Sequence, residues 1–118
     1  MKKTLLVLAV ALISLTSYGQ LNGNAKQIKE LSELTYLNIK SIAVDRFGND
    51  YEMVVYTINL QSDAVFEYLE ILNNKNYDKG LMESMFPKWS VEIGGTFFFD
   101  YEMIVYNYNK QITSKEQY

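Results

Sequence analysis

The sequence predicts an α+β domain in which helices pack on a mainly antiparallel four-stranded sheet built from two αββ-like units. Three observations predict it. Asp50-Tyr-Glu-Met-Val-Val-Tyr-Thr-Ile-Asn59 recurs as Asp100-Tyr-Glu-Met-Ile-Val-Tyr-Asn-Tyr-Asn109, identical at seven of ten positions. Both copies are rich in aromatic and β-branched residues, which suit pleated, half-buried surfaces. Turn chemistry precedes each copy, as Asp45-Arg-Phe-Gly-Asn-Asp50 and Gly94-Gly95, where Gly and Asn tolerate positive φ.

The elements follow in chain order. Asn24, with Gln27 three residues on, reads as a capping box opening a helix over 24–34. Ile28, Leu31 and Leu34 form its apolar stripe. Residues 36–44 read as a strand, returning after the turn as a second strand over 51–60. Ser62 reads as the N-cap of a helix to about residue 74, with Val65, Phe66, Leu69 and Leu72 on its apolar face. Asp78 caps a shorter helix to residue 86, which Pro87 would stop. Trp89–Ile93 and Thr96–Asn109 form a second hairpin, and the polar segment from about residue 110 reads as a frayed tail.

Residues 1–19 carry a different signal. Lys2 and Lys3 precede an apolar run from Leu5 to Leu15, and small Ser17 and Gly19 stand two apart before Gln20. That order resembles a bacterial Sec-type signal peptide, cleaved to leave one domain over 20–118 in the periplasm or outside the cell. The apolar run is too short to span a bilayer, which takes about 20 apolar residues, so no stable membrane anchor is expected.

Composition narrows the function classes. The chain has no Cys and no His. A disulfide framework and Ser-His-Asp or Cys-His catalysis are therefore excluded, and most transition-metal sites lose their usual ligands. Without the leader, fourteen acidic residues face nine basic ones, a net charge of −5. Nucleic acid and anionic membrane surfaces are poor partners for such a chain. No cofactor, metal or catalytic group is expected.

Two groups of side chains qualify as sites. Val54, Tyr56, Ile104, Tyr106 and Tyr108 would share the outer face of the repeat strands. Tyr offers large apolar area with a hydroxyl at low side-chain entropy, so this face suits a protein or apolar ligand, or a second copy of the chain. Asp50, Glu52, Asp100 and Glu102 would cluster if the strands were neighbours, as paired carboxylates do in proton sharing or Ca²⁺ binding. The expected function is that of an exported, non-catalytic binding protein. The alternatives are a structural accessory subunit of a cell-envelope complex and, less in keeping with its small size, a carboxylate-dependent enzyme. Intact-mass measurement of the exported protein should show a chain beginning at Gln20, as glutamine or pyroglutamate; retained Met1 would overturn the cleavage.

Overall fold

The computed structural model describes residues 19–118. Among them are five helices and one two-stranded antiparallel hairpin: α1 (Gly23–Leu31), α2 (Glu33–Phe47), α3 (Tyr51–Asn73), α4 (Lys79–Lys88), β1 (Ser90–Ile93), β2 (Thr96–Phe99) and α5 (Tyr101–Lys115). Residues 1–18, on which nearly all of the expected signal peptide falls, lie outside the described residues.

Short polar side chains set the helix boundaries. Asn22 caps α1 by accepting the Ala25 N–H at 2.8 Å. Ser32 ends α1 and begins α2, donating its N–H to Ile28 and accepting the Thr35 N–H on its hydroxyl. Gly48, at φ 53°, closes α2 in a conformation that a side chain would strain. Asp50, Asp78 and Asp100 cap α3, α4 and α5, each accepting the N–H three residues ahead.

The 23-residue α3 is the spine, about 35 Å long at 1.5 Å per residue. Its first half packs on α1 and α2 around Ala25, Ile28, Ile39, Ala43, Val54, Ile58 and Val65. Its second half carries Tyr68 and Ile71 to another cluster, where α4 and α5 bring Met82, Met85, Ile104 and Tyr108. Phe86 links this cluster to the hairpin, edge-on to Phe99 at 5.0 Å and to Tyr68 at 5.6 Å.

The hairpin turns through Gly94 and Gly95, both at positive φ, which a tight two-residue connection requires. Ser90 pairs with Phe99 and Ile93 with Thr96. On the outer side of β2, Asn38 of α2 donates its Nδ2 to the Phe99 carbonyl and accepts the Phe99 N–H, each at 2.8 Å. One side-chain amide thus takes the place of a neighbouring strand.

A polar knot joins the two clusters. Asp100 is buried and accepts from Arg46 of α2, from Gln61 Nε2 of α3 at 2.7 Å and from the Met103 N–H at 3.2 Å. Gln61 is fully buried, and its Oε1 accepts the Tyr101 N–H at 2.8 Å. The ends of α2 and α5 are therefore fastened to the middle of α3.

This architecture overturns the four-stranded α+β sheet. The expected strands over 36–44 and 51–60 lie inside α2 and α3, and the expected strand over 96–109 ends at Phe99. The two αββ-like repeat units do not exist either: the shared decapeptide marks two helix starts. The physical reason is the Asp that leads each copy, whose carboxylate caps the first turn while Glu52 or Glu102 favours the helix dipole. Ser62 is no cap but a mid-helix residue, donating its hydroxyl to the Ile58 carbonyl at 2.6 Å. Leu31 and Leu34, expected in the core with Ile28, are exposed. The helix expected from Asp78 is α4, but it runs through Pro87 to Lys88 and is not stopped there, and the Gly94-Gly95 hairpin is present in shorter form. Helix α5 continues to Lys115, through much of the segment read as a frayed tail.

The equivalent caps should differ in weight. Asp50→Ala removes an exposed cap and should cost about 1 kcal/mol. Asp100→Ala also leaves the buried Gln61 Nε2 without its short acceptor, while exposed Arg46 returns to water, and should cost about 2–3 kcal/mol, the lost cap plus one unsatisfied buried donor. Chemical denaturation of both variants checks the ranking.

Candidate functional site

The helical fold separates the expected Tyr-centred site. Val54 of α3 and Ile104 and Tyr108 of α5 are buried in the core. The Tyr108 hydroxyl accepts the Asp78 N–H at 2.9 Å, tying α5 to the start of α4. Tyr56 of α3 and Tyr106 of α5 are exposed. A strand would have aligned all five at period two. On helices the equivalent positions rotate by about 100° per residue, so the face they were to share is lost.

The acidic residues also divide. Asp50 and Glu52 are exposed at the start of α3. Asp100 belongs to the knot, and Glu102 lies beside it, accepting from Gln61 Nε2 at 3.4 Å. Burial pushes the Glu102 carboxyl above its ordinary range, and neighbouring Asp100 adds to the rise.

Glu102 opens onto a groove of about 480 Å³ between α3 and α5, which Asp63, Glu67, Tyr106 and Lys110 also line. The volume suits a small ligand. Its carboxylates, however, serve the fold. Asp63 accepts from Asn22 and Asn24 at 3.0 Å each, holding α1 to α3. Glu67 accepts from Asn109 at 3.1 Å, holding α5 to α3. Among the described residues, no three His, Cys, Asp or Glu side chains converge as a metal-ligand set.

The surface feature that has no such structural duty is apolar. Along α2, Leu34, Leu37, Ser41 and Val44 repeat at intervals of three, four and three. That spacing lays them in one stripe along a helix. Leu34 is 81% exposed, Leu37 54% and Val44 44%. Leu31, 75% exposed at the end of α1, stands next to this stripe in sequence. A trough of about 430 Å³, lined by Leu37, Lys40, Ser41, Val44, Asp45 and Ile93, runs between the stripe and the hairpin. The opposite side of α2 places Ile39, Ile42 and Ala43 in the core. Helix α2 is therefore apolar on two faces, and only one is covered.

A strand over 36–44 hides this surface from the sequence. The three-four-three spacing of Leu34, Leu37, Ser41 and Val44 is the signal that could have found it. No family model, curated protein or solved structure matches the chain.

Glu102 generates a pH prediction. Its folded pKa lies above the ordinary carboxylate value, so between the two values the native state binds the proton more tightly than the unfolded chain does. Stability contributed by this group is thus present below the ordinary value and declines as pH rises through the folded one. Glu102→Gln should remove that component of the decline and leave the protein at least as stable as wild type at pH 7. Thermal melts from pH 4 to pH 8 test this; a variant with an unchanged pH profile would show that Glu102 is solvated in the fold.

Proposed function

We propose that this chain is an exported, non-catalytic interaction protein that works through the apolar stripe of α2. The supporting observation is the exposure of Leu34, Leu37 and Val44 on one line, although both hydrophobic clusters are complete without them. Single exposed apolar residues are ordinary on a protein surface. An aligned set with an apolar trough beside it is the arrangement that marks interaction sites. The order of residues 1–19 supports export, and the absence of His and Cys from the sequence supports a binding role over catalysis.

The Tyr-rich surface survives in this proposal only as Tyr56 and Tyr106, which are exposed on separate helices. Tyr56 shares its side of α3 with half-buried Leu60, and Tyr106 lines the α3–α5 groove with Leu60, but neither belongs to a row of strongly exposed apolar residues as the α2 leucines do.

A photoreactive residue at position 37 tests the surface directly. In the exporting cell it should form a crosslinked adduct under illumination, while the same residue at exposed position 88 on α4 should not. Equal crosslinking at both positions, or none at 37, would overturn the assignment.

A further inference from the structure

We propose that Asn22 is a site of spontaneous deamidation controlled by the fold: protected while α1 is docked on α3, reactive whenever α1 lifts away, and unable to dock α1 again once converted to isoaspartate. Asn22 stands directly before Gly23, and this is the one Asn-Gly pair in the chain. An asparagine side chain engages nearby backbone groups readily. Glycine leaves its own backbone nitrogen the most accessible of them, because no Cβ shields it. Gly23 is exposed, and a Cβ built there would meet nothing within 4 Å. Its N–H opens α1, where a helix offers no acceptor of its own.

The reaction needs only water. The Gly23 nitrogen gives up its proton and attacks Asn22 Cγ. The new C–N bond forms, the Cγ–Nδ2 bond breaks, and ammonia leaves with a proton from the solvent. The product is a cyclic succinimide, which water then opens at either carbonyl. Opening at Cγ yields aspartate. Opening at the backbone carbonyl, the commoner course, yields isoaspartate, in which the main chain runs through the side chain and is one carbon longer.

The fold holds Asn22 away from this course. Ring closure requires the side chain to swing over the Gly23 nitrogen, with ψ turned well away from extended. In the structure ψ is 177°, and both ends of the side-chain amide are engaged. Its Oδ1 accepts the Ala25 N–H at 2.8 Å, and its Nδ2 donates to Asp63 of α3 at 3.0 Å. The Asn22 backbone N–H donates to Asn59 Oδ1 at 2.8 Å, and Asn59 Nδ2 donates to the Gln20 carbonyl at 2.9 Å, so α3 grips the chain on both sides of Leu21. The side-chain bonds must break before Asn22 can react, and they lie at the first turn of a nine-residue helix, where local opening costs least. Aspartate at this position would keep the cap but set a second carboxylate against Asp63 in place of an amide donor. Isoaspartate would carry the cap out of register with the Ala25 N–H, and the first turn of α1 would no longer hold Ala25 and Ile28 on the core.

Peptide mapping of the purified protein, incubated at mildly alkaline pH in buffer and in denaturing guanidinium chloride, tests the proposal without a variant. Deamidation at Asn22 should be at least about tenfold slower in the folded protein than in denaturant, where every opening is already made. Asn59→Ala, shown by its thermal melt to be folded, should raise the folded rate several-fold and leave the denatured rate unchanged. Gly23→Ala should suppress the reaction in both conditions and melt no lower than wild type, since the added methyl group enters open space. The isoaspartyl form, separated by chromatography, should lose hydrogen-exchange protection at the α1 amides and keep it in α5, whereas Asn22→Asp should keep it in both. No reaction in denaturant would remove the site. Equal rates in buffer and denaturant, or a folded rate unchanged by Asn59→Ala, would overturn the control by docking. Full protection of α1 in the isoaspartyl form would overturn its failure to dock.

Discussion

Gln61 is the residue on which the arrangement of the helices depends. It lies fully buried at the midpoint of α3, where the two hydrophobic clusters meet. A carboxamide offers a donor and an acceptor on one planar group, and this site uses both. The Nε2 serves the Asp100 carboxylate, and the Oε1 takes the Tyr101 N–H, a helix-start donor with no partner within α5. A carboxylate at this position would face Asp100 without a proton to share. An aliphatic side chain would leave the Tyr101 N–H and part of Asp100 unsatisfied. Arg46 completes the arrangement from α2, so three helices take their relative placement from one polar centre in an otherwise apolar interior.

Capping was legible at one of the three positions read for it: Asp78 is a cap, whereas Asn24 yields that role to Asn22 and Ser62 lies inside α3. Asp78 and the Gly94-Gly95 turn could be read directly, because their chemistry is complete within four residues. The long helix was hidden by its own buried side. Val54, Thr57, Ile58, Gln61, Ser62 and Val65 follow the helical period closely, but three of the six are polar. A search for apolar residues alone therefore loses the pattern halfway along. Within the segment expected as a strand over 96–109, Phe97, Phe99, Tyr101, Met103 and Val105 stand at period two, and that run crosses the boundary between a real strand and a helix at Asp100. The repeated Asp-Tyr-Glu-Met segment was visible, but its meaning as a helix start depended on reading Asp as a cap instead of a turn residue. For the sites, the sequence grouped Tyr56 and Tyr106 with Val54, Ile104 and Tyr108 on a strand face that does not exist, and the α2 stripe became visible only once residues 33–47 were helical.

Composition and architecture meet in α3 and α5. The aromatic residues that suggested a sheet are used to fill the spaces between helices: Tyr68, Phe86, Phe99 and Tyr101 contact one another edge-on or tilted, with ring centroids 5.0–6.3 Å apart. Such pairs hold elements at defined angles without needing a continuous stripe on either one. With no disulfide available, this contact network and the polar knot supply the specificity of packing in a chain of modest size.

The pair of hydrogen bonds from Asn38 to Phe99 has a consequence for solubility. Thr96-Phe97-Phe98-Phe99 is uncharged, aromatic and extended, the composition that nucleates cross-β aggregates when its backbone is free. A two-stranded hairpin always has open rims, and natural proteins blunt them with charge, bulges or a covering element. Here a helix performs that task with one amide, which occupies both backbone groups of Phe99 so that no foreign strand can zip along β2 from that end. Glu92, opposite Phe97 in the register, places the hairpin's one carboxylate beside its most exposed ring. An aromatic segment that would be hazardous in isolation is in this way kept soluble by its neighbours.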